Sequence, residues 1–405
     1  MTTSVLYISY TGLLDPLGQS QVLQYVLGLA GQHRMTLLTF EKPEALKDTE
    51  RLAALQAQCK AAGVDWHRLK YHNKPNAPAT LYDLLTGMRV GIRLARLAKI
   101  DVVHCRSYLA GLMGLAVKRA TGARHVFDMR GFWPDERVDG GIWRKDSFQY
   151  RLFKRAEKRL FLQTDHVVSL TRAGVREFEQ FDYLQASPRP VSVIPTCTNL
   201  SLFSMDKPAS NQPEGFTLGY IGSVGSWYMF DDVVRTVRLL MDTRPDARFL
   251  VINKGGHAAI RTALAAGGVD MGRVEIKAVP YDQVGVEVAR MDAGVFFIKP
   301  AWSKRASCPT RMGEFLACGK PCLTNAGVGD VEEDFHQTGT GVALTDLSDA
   351  ALAPALEQLL QLAAEPGMAE RCRRAAEDRF SLQGGIAAYA AIYARLASAG
   401  PKGAV

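Results

Sequence analysis

No apolar run in this 405-residue chain reaches the roughly eighteen residues that a membrane-spanning helix needs. The longest candidate, Leu109–Val117, is half that length and interrupted by glycine. No basic stretch precedes an apolar one at the N-terminus, so no secretory leader is read and the cytoplasm is the expected compartment. The seven cysteines, at 59, 105, 197, 308, 318, 322 and 372, are odd in number and form no CxxC pair. That argues against a disulfide framework and a zinc ribbon, and free, mostly buried thiols are expected. A GxGxxG fingerprint is missing, which weakens the case for an NAD enzyme. No helix-turn-helix, zinc-finger or aromatic RNA-binding signature occurs, so no nucleic-acid partner is expected.

Charge is present, and it is spread unevenly. Residues 1–200 hold 28 Lys+Arg against 18 Asp+Glu, a net +10, whereas residues 201–405 hold 21 against 23, a net −2. A basic half suits a phosphate-bearing substrate or an anionic membrane surface, and its plainest use is solubility.

Short β-branched runs alternate with helical stretches from the start. Val5–Ser9, Met35–Phe40, Asp101–His104, His125–Asp128, His166–Ser169 and Val191–Ile194 read as buried parallel strands. A polar segment, Asp206–Gly215 with Pro208 and Pro213, interrupts the pattern. The alternation then restarts at Thr217–Ile221 and runs through Arg248–Ile252, Val274–Ala278, Ala293–Phe297, Pro321–Thr324 and Gly341–Leu344. The expected fold class is α/β: two tandem Rossmann-like, doubly wound domains over residues 1–205 and 206–381, facing across a cleft that draws loops from both. A last amphipathic helix at about 382–399, with Ile386, Tyr389, Ile392, Tyr393 and Leu396 on one face, is expected to cross back onto the first domain.

The richest segment runs from Lys299 to Pro321. Ser307 and Pro309 mark a helix start, and Lys304, Arg305 and Arg311 crowd that start although the positive end of a helix dipole disfavours cations. An anion resolves the conflict, and a diphosphate suits the free N–H groups and flanking cations. Glu314, one turn inside, is placed either to accept hydrogen bonds from two ribose hydroxyls or to pair with Arg311. Downstream, Asn325–Glu332 supplies a glycine loop. At the other end, Tyr7–Val22 reads as strand, glycine-bearing loop with Gly12 and Gly18, and helix. Between them, Val126–Asp139 is a strand end running into a charged, aromatic loop with Arg130, Asp135 and Glu136.

As a set, these segments resemble the family-4 glycosyltransferases of the GT-B fold, from Leu6 to about Tyr393. The family carries a Glu, seven residues, then a second Glu followed by a turn like Phe315-Leu-Ala-Cys-Gly-Lys-Pro321. Glu314 matches the second acid, while the first falls on Ala306. Ala306-Ser-Cys-Pro-Thr-Arg311 is similar to the Ser-x-x-Pro-Thr segment of other members, which assigns phosphate binding to Ser307, Thr310 and Arg311. Gly222 and Ser223, Lys254, and Pro280 fall on turns resembling the family's phosphate, nucleotide and nucleobase loops, and Gly12 and Gly18, on a loop resembling the family's first, are expected to permit its tight approach to donor or acceptor. Where members commonly have an Arg after the first of these, this chain has Trp227 and Tyr228, so Arg311, Lys304 or Arg305 is expected to supply the charge. Arg130 stands where the family often has a His that meets the reacting sugar. It is expected to stabilise the leaving phosphate or bind an anionic acceptor, with Asp135 or Glu136 handling the acceptor hydroxyl, unless these groups simply fix the loop.

The resemblance thus implies a sugar transferase with retention. A nucleotide-diphosphate sugar is its co-substrate, a carbohydrate or lipid-linked molecule its acceptor, and polysaccharide or glycolipid assembly its setting. No cofactor is implied, and no DxD-type pair near a strand end suggests a metal. The basic half would rest on the inner face of a membrane through Arg89–Lys99 and Lys154–Arg159. The alternatives are a sugar-nucleotide epimerase of the same plan and a non-catalytic nucleotide-sugar-binding subunit.

Overall fold

The computed structural model describes residues 2–206, 215–225 and 227–398. It divides into two compact units, Met1–Pro195 with Leu382–Val405, and Thr196–Ser381. Residues 207–214, where the polar segment suggested a boundary, lie outside the described residues. The stretch ahead of them, read from composition as the end of the first domain, packs with the second unit: Phe203 is fully buried in that unit's core. Composition marks where the chain is polar, whereas the boundary falls where packing changes partner.

Among the described residues the first unit holds seven strands: β1 (Ser4–Ser9), β2 (Arg34–Glu41), β3 (Asp65–Lys70), β4 (Val102–Arg106), β5 (Arg124–Asp128), β6 (His166–Ser169) and β7 (Val191–Val193). Their order is β3-β2-β1-β4-β5-β6-β7 and every pairing is parallel. Both faces of such a sheet are covered, so its central strands must be apolar throughout; β1, β4 and β5 are buried at every position. Strand β3 was not expected. Its residues DWHRLK are exposed or half-buried at the sheet edge and carry no apolar run to announce them.

Helix Leu382–Ser398 belongs to this unit and packs on helix Gln24–Ala30. A Cβ on Gly28 would lie 2.1 Å from Ile386 Cδ1, so glycine sets how closely the two approach. Tyr25 and Tyr389 meet edge to face across the contact, with ring centroids 5.5 Å apart.

The second unit holds β8 (Thr217–Ile221), β9 (Arg248–Ile252), β10 (Val274–Lys277), β11 (Ala293–Val295), β12 (Cys322–Asn325) and β13 (Gly341–Leu344), all parallel in the order β10-β9-β8-β11-β12-β13. Each sheet therefore grows outwards in both directions from its first strand. The switch points, where open α/β sheets take ligands at their carboxyl ends, lie between β1 and β4 and between β8 and β11.

Candidate functional site

In the second unit, the chain leaving β8 pairs with the chain leaving β11. Tyr228 bridges Ile298, Met229 N donates to Phe297 O at 3.0 Å, and Lys299 N donates to Trp227 O at 3.0 Å. Two asparagines staple the neighbouring loops. Asn253 Nδ2 donates to Gly222 O at 2.7 Å and its Oδ1 accepts from Gly255 N at 2.8 Å. Asn325 Oδ1 accepts from Ile298 N at 2.8 Å and its Nδ2 donates to Ile298 O at 2.9 Å. Sequence reading missed both, although each stands at or just past a strand end and two residues before a glycine, a pattern that could have found them.

Onto this platform opens helix Thr310–Ala317, with Pro309 at its N-cap and no side-chain cap. Its second residue, Arg311, is 6% exposed. The guanidinium carbon lies 4.2 Å from the Tyr228 ring centroid and 4.9 Å from that of Tyr220, contacts worth about 0.5–2 kcal/mol apiece. Arg311 Nη1 is sealed from solvent without a hydrogen-bond partner. Beside it runs Gly222, at φ 100°, where an added Cβ would lie 2.6 Å from Arg311 Nη2. Lys304, buried in the turn Trp302–Ala306, sets its Nζ 3.8 Å from the Trp227 ring centroid. Each aromatic found where the family pattern has an arginine therefore holds a cation.

Glu314 is buried one turn deeper, and it feels the charge of Arg311 without an ion pair between them among the described residues. Burial pushes its carboxyl up to about 7, with Arg311 opposing. No hydrogen bond to Glu314 is found among the described residues, and its oxygens are not among the atoms sealed from solvent. Ser223 contributes its carbonyl to Tyr220 OH at 2.6 Å, and Ser307 and Thr310 are half-buried at the helix mouth. Three expected members stand further out: Lys254, Arg305 and Pro280 are exposed, Pro280 as the N-cap of helix Tyr281–Ala289.

In the first unit, the space offered by the two loop glycines is taken up internally. A Cβ on Gly18 would meet Gly12 O at 1.9 Å, and one on Gly12 would meet Glu41 Oε2 at 2.2 Å. The buried Glu41 carboxylate accepts from Leu13 N at 2.8 Å, Leu14 N at 3.1 Å and Thr39 Oγ1 at 2.7 Å. The loop is wrapped around an acid that sequence reading passed over. Asp135 is similarly engaged: it accepts from Tyr150 OH at 2.7 Å and pairs with Lys154 Nζ at 2.9 Å, and Lys154 also contacts the buried Glu157. Glu136 lies beside it on helix Trp133–Asp139, half-buried.

Arg130 sits at φ 62°, in the left-handed region that non-glycine residues rarely visit. Its Nη2 donates to Gln21 Oε1 at 3.3 Å and its Nη1 lies 3.7 Å from Asp128 Oδ2. Tyr389 OH donates to the same Asp128 oxygen at 3.2 Å, and Tyr393 OH meets His104 Nδ1 at 2.6 Å. Burial works against a charged Asp128, yet Arg130 and His104 hold its carboxyl below the usual range. Burial lowers the pKa of His104, which stays neutral and has a structural place under helix Leu382–Ser398.

Residues 18–197 match the model of a family described as a glycosyl transferase 4-like domain. A search of curated proteins by sequence found no match. Among solved structures, the sucrose-phosphate synthase of Thermosynechococcus elongatus is 16% identical, with a TM-score of 0.73 over 98% of this chain and 100% of that one. Anabaena HepE, solved in complex with UDP and glucose, is 12% identical, with a TM-score of 0.66 over 97% of this chain and 100% of that one. A protein of Listeria monocytogenes described as a UDP-N-acetylglucosamine 2-epimerase is 13% identical, with a TM-score of 0.63 over 98% and 97%. At these identities the likeness is one of fold. Residues 18–197 therefore resemble a glycosyl transferase 4-like domain, and the chain carries the GT-B fold of two Rossmann-like units.

Proposed function

We propose that this glycosyltransferase takes a sugar from a nucleoside-diphosphate sugar held by the second unit and passes it to an acceptor hydroxyl, with retention at the anomeric carbon. The observation that carries the reading is Arg311: a buried guanidinium with an unpartnered Nη1, at the mouth of a helix and against a glycine that leaves it room. Such a cation and the free N–H groups of a helix start are complementary to a diphosphate. Lys304 adds charge as the glycosidic bond breaks and the leaving diphosphate gains its electrons. Glu314 accepts hydrogen bonds from two ribose hydroxyls. These fixed charges do what a divalent ion does in other transferases, so the reaction runs without a metal. HepE, of the same fold, was solved with UDP and glucose, and a UDP-sugar is the first donor to test.

The first unit meets the acceptor, a carbohydrate or lipid-linked molecule of surface polysaccharide or glycolipid assembly. Arg130 faces the reacting groups there, and the basic helices of this unit rest on an anionic membrane surface. No helix among the described residues is long and apolar enough to cross a membrane, and the contact in this reading is peripheral, on the cytoplasmic side.

The Listeria protein keeps a second reading in view, a sugar-nucleotide epimerase. Incubating the protein with a panel of nucleotide sugars and acceptor lipids, with mass spectrometry of the products and NMR of the new anomeric centre, separates the two. Free nucleoside diphosphate and an acceptor one sugar heavier, with the donor's anomeric configuration and in the presence of chelator, are expected. An isomerised donor with no acceptor product would favour the epimerase.

A further inference from the structure

Arg106 ends β4 at the first sheet's switch point, with Ser9 of β1 and Asp128 of β5 as its register neighbours. It is 7% exposed, its Nε is sealed without a partner, and no protein acceptor or ion pair is found for its guanidinium among the described residues. Burial, and after it the charge of nearby Arg130, lowers its pKa. The buried Arg106 and the Arg130 side chain, 8% exposed, thus face a single carboxylate, Asp128, which already pairs with Arg130. With His104 neutral, the cluster carries one uncompensated positive charge.

The backbone adds to it. Helix Ser107–Thr121 starts on this spot with Arg106 as its N-cap and no side-chain cap, so its first N–H groups point into the same place. Ser107, at φ 72° and directly beyond β4, and Arg130, at φ 62° and two residues beyond β5, are both left-handed non-glycine residues. Strain of this kind persists where a site needs it. A buried cation with no ion pair, at a helix start, costs stability that the charge of Asp128 returns only in part.

We propose that Arg106 and Arg130, with the start of helix Ser107–Thr121, form a binding site for a phosphoryl oxyanion. The ligand is a phosphate group carried by the acceptor, an identification that rests on the transferase reading; the anion site itself does not. Arg106 supplies the forked donor, the helix N–H groups supply the second contact, and Asp128 fixes Arg130 beside them. The acceptor class is accordingly a phosphorylated sugar or a prenyl phosphate rather than a neutral glycan.

Calorimetric titration of the full chain with inorganic phosphate, a sugar monophosphate and a short-chain prenyl monophosphate tests this, using wild type, R106Q, R106K and R311M. R106Q is expected to weaken phosphate binding about tenfold or more while UDP binding is unchanged; R311M is expected to do the reverse. R106K, which keeps the charge without the fork, falls between and covers the case in which R106Q does not fold. The tightest of the three probes identifies the source of the phosphate. Wild-type affinity for phosphate in both Arg106 variants, or no phosphate binding by the wild type at millimolar concentration, overturns the site. Phosphate binding at Arg106 without any nucleotide binding elsewhere would sink the donor reading and leave this one standing.

Discussion

At Gly222 a single methyl group would meet Arg311 Nη2 at 2.6 Å, on a backbone at φ 100°. The guanidinium is stacked on Tyr228 and cannot swing away freely, so G222A should displace it and strain the turn. The expected result is nucleotide affinity about tenfold lower and a stability loss of about 1 kcal/mol, read by calorimetry and by denaturant melts. Unchanged affinity would detach Arg311 from the ligand. Glu314 gives a pH test at the same site. Its carboxyl rises from 4.5 in the open chain to about 7 in the fold, so between those values the native state keeps a proton that the unfolded state has released. Stability must therefore fall as pH rises through that window, by ~3 kcal/mol at most. E314Q should melt later than wild type at pH 8 and lose the difference near pH 4.5. A difference that does not vary with pH would mean the carboxylate is not held in a dry site.

At the scale of elements, strands were the most legible part of the molecule. A parallel sheet buried on both faces writes itself as apolar runs, and Val5–Ser9 or Thr217–Ile221 can hardly be read otherwise. Strand β3 escaped because an edge needs no such run. The helix mouth at Pro309 was legible through cations placed against the dipole. The aromatic supports were not, since Trp227 and Tyr228 meet Lys304 and Arg311 only once the chains leaving β8 and β11 pair across some seventy residues. Arg106 looked like any strand-end charge, and its burial follows from the strand order rather than from its neighbours in sequence.

Helices Asn76–Leu97 and Phe148–Gln163 carry a further expectation. The first exposes Leu81, Tyr82 and Leu85 near its start, then Arg89, Arg93 and Arg96; the second exposes Phe148 and Leu152, then Arg155, Lys158 and Arg159. The single acid of the first helix, Asp83, is buried and bonded to Tyr10 and His72. Exposed apolar turns followed by arginines suit the plane of an anionic bilayer. Co-sedimentation should show binding to phosphatidylglycerol vesicles but not to phosphatidylcholine vesicles, and F148S should weaken it about tenfold. Equal binding to both vesicle types would remove the membrane from the account.

For the molecule as a whole, the charge asymmetry of the sequence, +10 against −2 about residue 200, nearly coincides with the division between units at Pro195. The coincidence is imperfect because packing decides the boundary: Phe203 sits in the second core whatever the charges around it. The two units use one topology twice, each with a buried arginine at its switch point, Arg106 in the first and Arg311 in the second. A buried arginine with a sealed, unpartnered nitrogen burdens the fold and serves a ligand, so its removal should separate stability from binding.

That separation is most directly measured on Arg311, by titrating UDP and other nucleoside diphosphates into wild type and R311M and recording both melting curves. The prediction is an R311M protein no less stable than wild type that binds its preferred nucleoside diphosphate about ten- to a hundredfold more weakly. An R311M protein that binds the nucleotide as tightly as wild type would contradict the assignment of the donor to the mouth of helix Thr310–Ala317.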